Sequence, residues 1–356
     1  MLVNDVVDSK SIALQATNDP SNTVPYIGLQ WFPEKKKAGL DLSWIKTHNG
    51  LPVSLAPSNF DTLPTLRARA GLAKEKTQMA FFRESMTVGE TEMLEIERIK
   101  EEDDPYLQTA LDSVYDDTTT LVRGAEVVPE RMRMGLLATE KGHPVIGIES
   151  DGVKYAYDYD STGEYAKEHY AKLEGTSQWS NATASKPLND MNTARKALAK
   201  KGRIAKYALM NSNTFEYLLD NDQIKNSILA QNLTATIEIT DDNVISVVKN
   251  RTKLQIVLYD KMYKDEAGKD HYFYPDNKVT LLPDSALGGT YFGDTPEERT
   301  ARQAADVDVT IYGTGIAVAT KTEYGPPSKM TTTVSETVLP SYEGMDSTFV
   351  LEVAGE

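Results

Sequence analysis

The sequence predicts an α+β protein, and three observations carry that prediction. Residues 143–160, HPVIGIESDGVKYAYDYD, spell out a two-stranded ribbon directly after a long helical stretch that ends at Gly142. Between Asn189 and Leu258, helical and strand-like segments alternate. From Asp306 onward the runs DVDVTIYGTGIAVAT, TTTVSETVLP and STFVLEVAG read as strands. Alternating elements followed by a strand-rich tail fit sheets covered by helices.

The bulk composition bounds the class. A chain of 356 residues suggests about two domains and supplies enough length for a substantial core. Its 40% hydrophobic and 26% charged residues are those of an ordinary globular protein. No apolar run approaches the roughly 18 residues of a membrane span. The start, MLVNDVVDSKSIALQ, lacks the basic head and apolar block of a secretory signal, so cytoplasmic synthesis and no membrane partner are expected. With no cysteine there is no disulfide framework, thiolate nucleophile or zinc finger. A net charge of −15 argues against a dedicated nucleic-acid binder, which needs basic patches to neutralise phosphates. It suits colloidal solubility first; a second, sharper reading is a wall that encloses DNA without adhering to it.

The elements follow in order. Residues 1–37 are polar and broken by Pro20, Pro25 and Pro33, which predicts an extended arm whose apolar anchor is Tyr26 to Pro33. Lys35-Lys36-Lys37 reads as a solvated turn rather than a phosphate site. GLDLSWI, residues 39–45, alternates as a half-buried strand does, and His48-Asn49-Gly50 supplies a turn. The stretch to about Met86 carries three prolines and the basic cluster Arg67, Arg69, Lys74 and Lys76, then ends in the apolar Met79-Ala80-Phe81-Phe82. Two extended limbs joined by such a tip predict a long protruding loop, and loops of this length are usually functional or disordered. Residues 90–100, ETEMLEIERIK, fit a strand or a helix.

Asp103 and Asp104 before Pro105 form a strong helix start. Leu107, Leu111, Val114, Leu121, Ala125 and Val128 then keep helical spacing, interrupted by Gly124 and by Pro129, whose ring clashes with the preceding turn. One long bent helix, or two end to end, is expected, spanning roughly 50 Å if it reaches Thr139. In the ribbon that follows, Asp151-Gly152 is the favoured two-residue hairpin turn. Folding about it sets Ile148 opposite Tyr155, Ile146 opposite Tyr157, and Glu149 opposite Lys154, the kinds of cross-strand pair that stabilise a sheet. A polar link with Trp179 leads to a helix from Asn189 to Lys201, with Met191, Ala194 and Leu198 on one stripe, three lysines toward its C-terminus and Gly202 as its stop. A strand at Tyr207–Met210, a helix around Asn213–Leu219, a strand at Thr234–Ile239, a helix from Asn243 and a strand at Leu254–Leu258 complete the alternating part.

No residue set is arranged for catalysis. His48, His143, His169 and His271 lie far apart without metal-ligand spacing and read as exposed or turn residues. Asp158 and Asp160 share a strand face with Lys154 and read as edge-strand solubility. Asp241-Asp242-Asn243 lacks the glycine and final glutamate of a calcium loop and reads as a helix cap. Gly313-Thr314-Gly315 has no third glycine and no following helix, so it is not a dinucleotide fingerprint. Gly288-Gly289 has no phosphate-loop partner. Trp31, Trp44 and Trp179 could stack on sugars, although core or interface anchoring is the commoner fate of tryptophan. No catalytic residue, cofactor or metal is expected.

The ordered set of strings resembles a tailed-phage major capsid protein of the lambda-type capsid protein E family. Trp31-Phe32-Pro33 followed by AGLDLSWIKTHNGLPV resembles the family's passage from arm to loop. Leu121–Gly142 and the ribbon after it resemble its spine helix and hairpin. GTSQWS and the Asn189 helix resemble the next landmark. LYDKMYKDEAGKDHYFYPDNKVTLLP, then Gly288, Gly293 and Thr295-Pro296-Glu297, is the most specific match, and SETVLPSYEGMDSTFVLEVAG resembles the closing strands. The likeness runs from Tyr26 to Gly355. It implies the Hong Kong 97 phage capsid fold, laid out as an N-terminal arm (1–37), an extended β-hairpin loop (38–87), a peripheral domain with spine helix and hairpin (88–205), an axial domain (206–305) and C-terminal strands returning to the peripheral domain (306–356). It further implies a non-enzymatic shell subunit assembling into hexamers and pentamers. The implied partners are a portal protein at one vertex, a scaffolding protein, a decoration protein and packaged double-stranded DNA held without sequence-specific binding. On that reading Trp31, Phe32, Arg67, Arg69, Lys74 and Lys76 are assembly contacts, the basic four either meeting a neighbour's carboxylates or forming a merely solvated loop tip. Gly124 and Pro129 are points where the helix flexes as the shell expands. The rival reading is a decoration or tail-associated protein that binds carbohydrate through its tryptophans.

Overall fold

Apolar alternation, proline placement and glycine stops translate directly into the elements of the computed structural model, which describes residues 9, 10, 12, 13, 25–46, 73–94, 107–150, 153–229, 239–300, 307–323 and 325–355. Two compact units emerge. The first comprises Met1–Leu42, Lys76–Arg133 and Gly289–Ser341; the second comprises Ser43–Glu75, Met134–Gly288 and Tyr342–Glu356. The described elements, in chain order, are β1 (Glu34–Lys36), β2 (Asp41–Lys46), β3 (Ala73–Gln78), β4 (Ala80–Val88), α1 (Leu107–Leu137), β5 (Val145–Ser150), β6 (Val153–Asp158), α2 (Glu164–Glu168), β7 (Tyr170–Lys172), α3 (Pro187–Lys200), β8 (Tyr207–Met210), α4 (Ser212–Asp220), α5 (Asp222–Leu229), α6 (Asp241–Thr252), β9 (Gln255–Leu258), β10 (Met262–Lys264), β11 (Asp270–Tyr272), β12 (Lys278–Leu282), β13 (Thr290–Phe292), α7 (Pro296–Thr300), β14 (Val307–Tyr312), β15 (Ile316–Glu323), β16 (Lys329–Pro340) and β17 (Phe349–Glu352).

The first unit is built on a six-stranded sheet of order β1-β13-β16-β15-β14, with β4 also paired to β16. Strand β16 is its longest member and runs antiparallel to β4 from Met330↔Val88 to Val338↔Ala80. Hydroxyl pairs Ser85–Thr333 and Thr87–Thr331, at 2.9 and 3.2 Å, tie this ladder. The arm is not simply extended as the sequence suggested. Residues 9, 10, 12 and 13 are helical, Ile12 is buried, and Ser9 binds Asp308 and Thr310 of β14. Lys35 and Lys36 are exposed as expected, but in a strand rather than a turn. Glu34–Lys36 joins β13 in parallel pairing, and Lys36 Nζ donates to the Gly293 carbonyl at 3.0 Å and pairs with Glu298. These partners lie more than 250 residues away in sequence, so no local pattern announces them.

Helix α1 is a single run of 31 residues with Pro129 inside it, roughly 46 Å long. Of the two expected forms, one long helix or two end to end, the chain adopts the first, and Pro129 does not end it. Residues 90–94 are helical, which decides the ambiguous ETEML segment as far as it is described. Strands β2 and β3 pair as the two expected limbs. Residues 47–72, which include the tip, lie outside the described residues, as do Asp103-Asp104-Pro105 and the predicted strand at Thr234–Ile239 apart from Ile239.

The second unit centres on a five-stranded sheet of order β7-β17-β12-β8-β9, with α3, α4, α5 and α6 contributing a shared core. The predicted stripe Met191, Ala194 and Leu198 of α3 is buried there beside Trp179, Phe215, Leu218 and Val247. The α4 cap is Asn211, whose side chain accepts from Thr214 N at 2.9 Å. Helix α5, missed by the sequence reading, buries only Ile224 and Ile228. The ribbon pairs as predicted, with Ile148↔Tyr155, Ile146↔Tyr157 and Glu149↔Lys154, and a Lys154–Glu149 ion pair of 2.9 Å. Its turn residues Asp151 and Gly152 lie outside the described residues. Asp160 corrects the edge-strand reading. It is buried and accepts from Tyr165 N at 2.7 Å and Thr162 Oγ1 at 3.0 Å, capping α2. The C-terminal carbonyls left over at the end of α1 are met from β12, where Thr280 Oγ1 donates to Leu137 and Lys278 Nζ to Ala138 and Thr139. Gly142, at φ +82°, lies in the turn after α1, where a Cβ would stand 2.8 Å from the Tyr170 ring.

Candidate functional site

A buried ion cluster fastens the arm's apolar anchor to α1 inside the first unit. The Ile27–Gln30 turn is a single 3-10 turn. Trp31 and Phe32 after it have no exposed surface at all. The sequence reading made these two side chains assembly contacts; the structure spends both inside the subunit, because a tryptophan and a phenylalanine beside Pro33 gain most by leaving water. The backbone around them is equally committed. Gly28 N donates to Glu130 at 3.0 Å, and Thr290 Oγ1 donates to the Phe32 carbonyl at 3.0 Å. A Cβ at Gly28 would lie 2.5 Å from the Glu130 carboxylate, so the close approach requires glycine.

Arg133 organises the cluster. Its side chain is 2% exposed and its Glu130 partner 0%. Nε donates to Thr290 Oγ1 at 2.8 Å, while the two terminal nitrogens reach Glu130 at 3.3 Å and Glu34 at 3.1 Å. Glu34 accepts in addition from Thr314 at 2.7 Å, and Glu126 accepts from Tyr312 at 2.8 Å. Beside the cluster is a cavity of about 580 Å³ whose walls include Tyr26, Glu34, Glu126, Pro129, Arg133 and Tyr312. The arrangement offers charge and packing, but no nucleophile poised against a base.

The remaining predicted residues are dispersed. Arg67 and Arg69 lie outside the described residues, and of Lys74 only the backbone in β3 is described. Lys76 is 67% exposed and pairs with the equally open Asp41 at 3.1 Å. Gly124 is exposed, with open space where a Cβ would stand, whereas Pro129 is buried against the cavity. Gly313-Thr314-Gly315 forms the turn between β14 and β15.

Among the histidines, His169 departs from the exposed reading. It is buried, stacks on Tyr165 at 5.2 Å, and engages the Thr348 carbonyl at 2.9 Å through Nδ1 and Lys201 Nζ at 3.1 Å through Nε2. Burial first, and Lys201 in addition, hold its pKa below the ordinary value. His271 contacts Asp265 at 2.8 Å at the β10–β11 hairpin. Among the described residues no group of three histidine or acidic side chains could hold a metal ion, and no helix is long and apolar enough to cross a membrane. All three tryptophans are buried, and Trp179 Nε1 donates to Asp190 at 3.0 Å, so none presents a sugar-stacking face. The sequence reading missed Glu130, Arg133 and Glu336, because charged residues in periodic segments read as surface.

Comparison with known proteins places these features in a family. The model of a family described as phage major capsid protein E matches residues 13–324. No curated protein matches the chain. Among solved structures, the fold is similar to a phage-related protein of Bordetella bronchiseptica RB50, at 15% identity and TM-score 0.56, covering 98% of this chain and 97% of that one. A prophage protein of Escherichia coli CFT073 is similar at 11% identity and TM-score 0.59, over 98% and 99% of the two chains. The capsid of cyanophage A-1(L) gives 13% identity and TM-score 0.52, over 95% and 96%.

Proposed function

The chain belongs to the phage major capsid protein E family, and from that premise we propose that its copies form the hexamers and pentamers of an icosahedral head that expands as double-stranded DNA is packaged. The protein is a structural major capsid protein, a component of the virion, and it assembles with itself into a shell. The observation that carries this reading is the family match across residues 13–324, nearly the whole chain. On the same reading a portal protein occupies one vertex, a scaffolding protein guides assembly and a decoration protein binds the finished shell. The subunit is made in the host cytoplasm and performs no catalysis. The net charge of −15 suits a wall that contains DNA without binding it. Neighbouring copies would supply what the exposed limbs lack, since obligate interfaces typically exceed ~2,000 Å².

Expression with a scaffolding partner followed by negative-stain electron microscopy tests the assembly. Closed shells or flat sheets of hexamers are expected. A stable monomer that binds saccharide would overturn the proposal in favour of the carbohydrate-binding alternative.

A further inference from the structure

The first unit buries a carboxyl group that nothing in the fold binds. Along β16, alternation sends Ser335 and Thr337 to one face, where Ser335 Oγ donates to Glu297 at 2.5 Å and Thr337 Oγ1 donates to the Asp294 carbonyl at 3.1 Å. Glu336 between them faces the other way. It has no exposed surface, and neither of its carboxyl oxygens has a hydrogen-bond partner among the described residues.

The charged groups around it have other partners. Arg133 and Glu126 of α1 and Glu34 of β1 are the charges that act on it. The three nitrogens of Arg133 already serve Thr290, Glu130 and Glu34. Glu126 is engaged by Tyr312 of β14. Across the ladder, the β4 residue in register with Glu336 is the apolar Phe82. Its neighbour Arg83 pairs with Glu297 of α7, the acid that holds Ser335 on the opposite face. Arg133 therefore stands among four carboxyl groups, Glu34, Glu126, Glu130 and Glu336. A carboxylate buried without donors is among the costliest groups a protein can hold, and it escapes that cost by taking a proton.

We propose that Glu336, on the central strand of the first unit's sheet, is a proton-dependent switch, neutral in the folded subunit and destabilising it when it ionises. The inference goes beyond the shell reading and stands without it. Desolvation above all, then the Glu34 and Glu126 charges, raise the Glu336 pKa, against the lowering effect of Arg133. A folded value above the unfolded one contributes stability that is complete at low pH. That stability is lost as pH rises from the ordinary carboxyl range through the folded value. Over that window the unfolding equilibrium constant climbs about tenfold per pH unit.

The test is urea denaturation of the full-length chain and of Glu336→Gln, at one protein concentration, from about pH 5 to about pH 9, below the ordinary range of tyrosine and lysine. The wild-type protein should lose stability relative to the glutamine variant as pH rises, the ratio of their unfolding constants growing toward about tenfold per unit. Parallel profiles would overturn the proposal. Infrared spectroscopy of the native wild-type chain gives a second reading. A protonated side-chain carboxyl stretch should persist at neutral pH and vanish on unfolding. Its absence in the native protein would also sink the proposal, and this measurement decides alone if the glutamine variant does not fold.

Discussion

Arg133 shows at single-residue scale how much of the candidate site the sequence concealed. Its partners Glu34 and Thr290 lie 99 and 157 positions away, so only the finished fold makes its burial tolerable. Replacing Arg133 with methionine should remove about 3–5 kcal/mol of stability, because Glu130 would remain buried without its cation. Changing Glu130 to methionine as well should restore much of that loss; a single variant as stable as the parent in urea would refute the cluster's role. His169 supplies a pH signature of opposite sense to Glu336. Its Nδ1–H donates to Thr348 and its Nε2 accepts from Lys201, which fixes a neutral ring. Because its folded pKa lies below the unfolded value, the unfolded chain takes up the proton first. Stability therefore falls as pH drops below about 6.5. His169→Asn should flatten that acid limb between about pH 6.5 and pH 5 in thermal melts, and an unchanged limb would remove His169 as its cause.

At the scale of elements, legibility followed locality. The β5–β6 ribbon, the buried stripe of α3 and the strand-rich tail could be read because neighbours in sequence dictated them. The β1 strand and the helical residues in the arm could not, since both depend on distant partners in β13 and β14. Helix α1 is the mixed case. Its spacing was visible, yet its buried surface includes Glu130 and Arg133, which hydrophobic periodicity excludes. The predicted flex points differ in kind. Gly124 has room for a side chain, so alanine there should add about 0.5–1 kcal/mol to the helix. Pro129 denies its turn a backbone donor, which alanine restores. If these positions accommodate expansion, the double variant Gly124→Ala, Pro129→Ala should show a more stable subunit and an altered passage from procapsid to mature shell. Unchanged assembly and expansion, followed by electron microscopy, would eliminate the idea.

For the whole molecule, the family assignment shifts the question from what the subunit catalyses to what it leaves unsatisfied when alone. Trp31 and Phe32 are internal, which leaves the basic cluster as the proposed contact with neighbours. Lys76 is exposed and its ion-pair partner among the described residues is the exposed Asp41, so it adds little to the subunit itself: surface ion pairs contribute about 0–1 kcal/mol. On a chain of net charge −15, copies repel one another, and we propose that Arg67, Arg69, Lys74 and Lys76 offset that repulsion locally. Replacing Arg67, Arg69, Lys74 and Lys76 together with alanine should leave the unfolding of the subunit within about 1 kcal/mol of the parent. Shell formation, followed by light scattering, should become slower and lose much of its sensitivity to salt, since screening acts on the charges that were removed. If the quadruple variant assembles at the parental rate with the parental salt dependence, the loop's charges do not meet a neighbour's carboxylates, and the contact must be sought among the uncharged residues of the limbs.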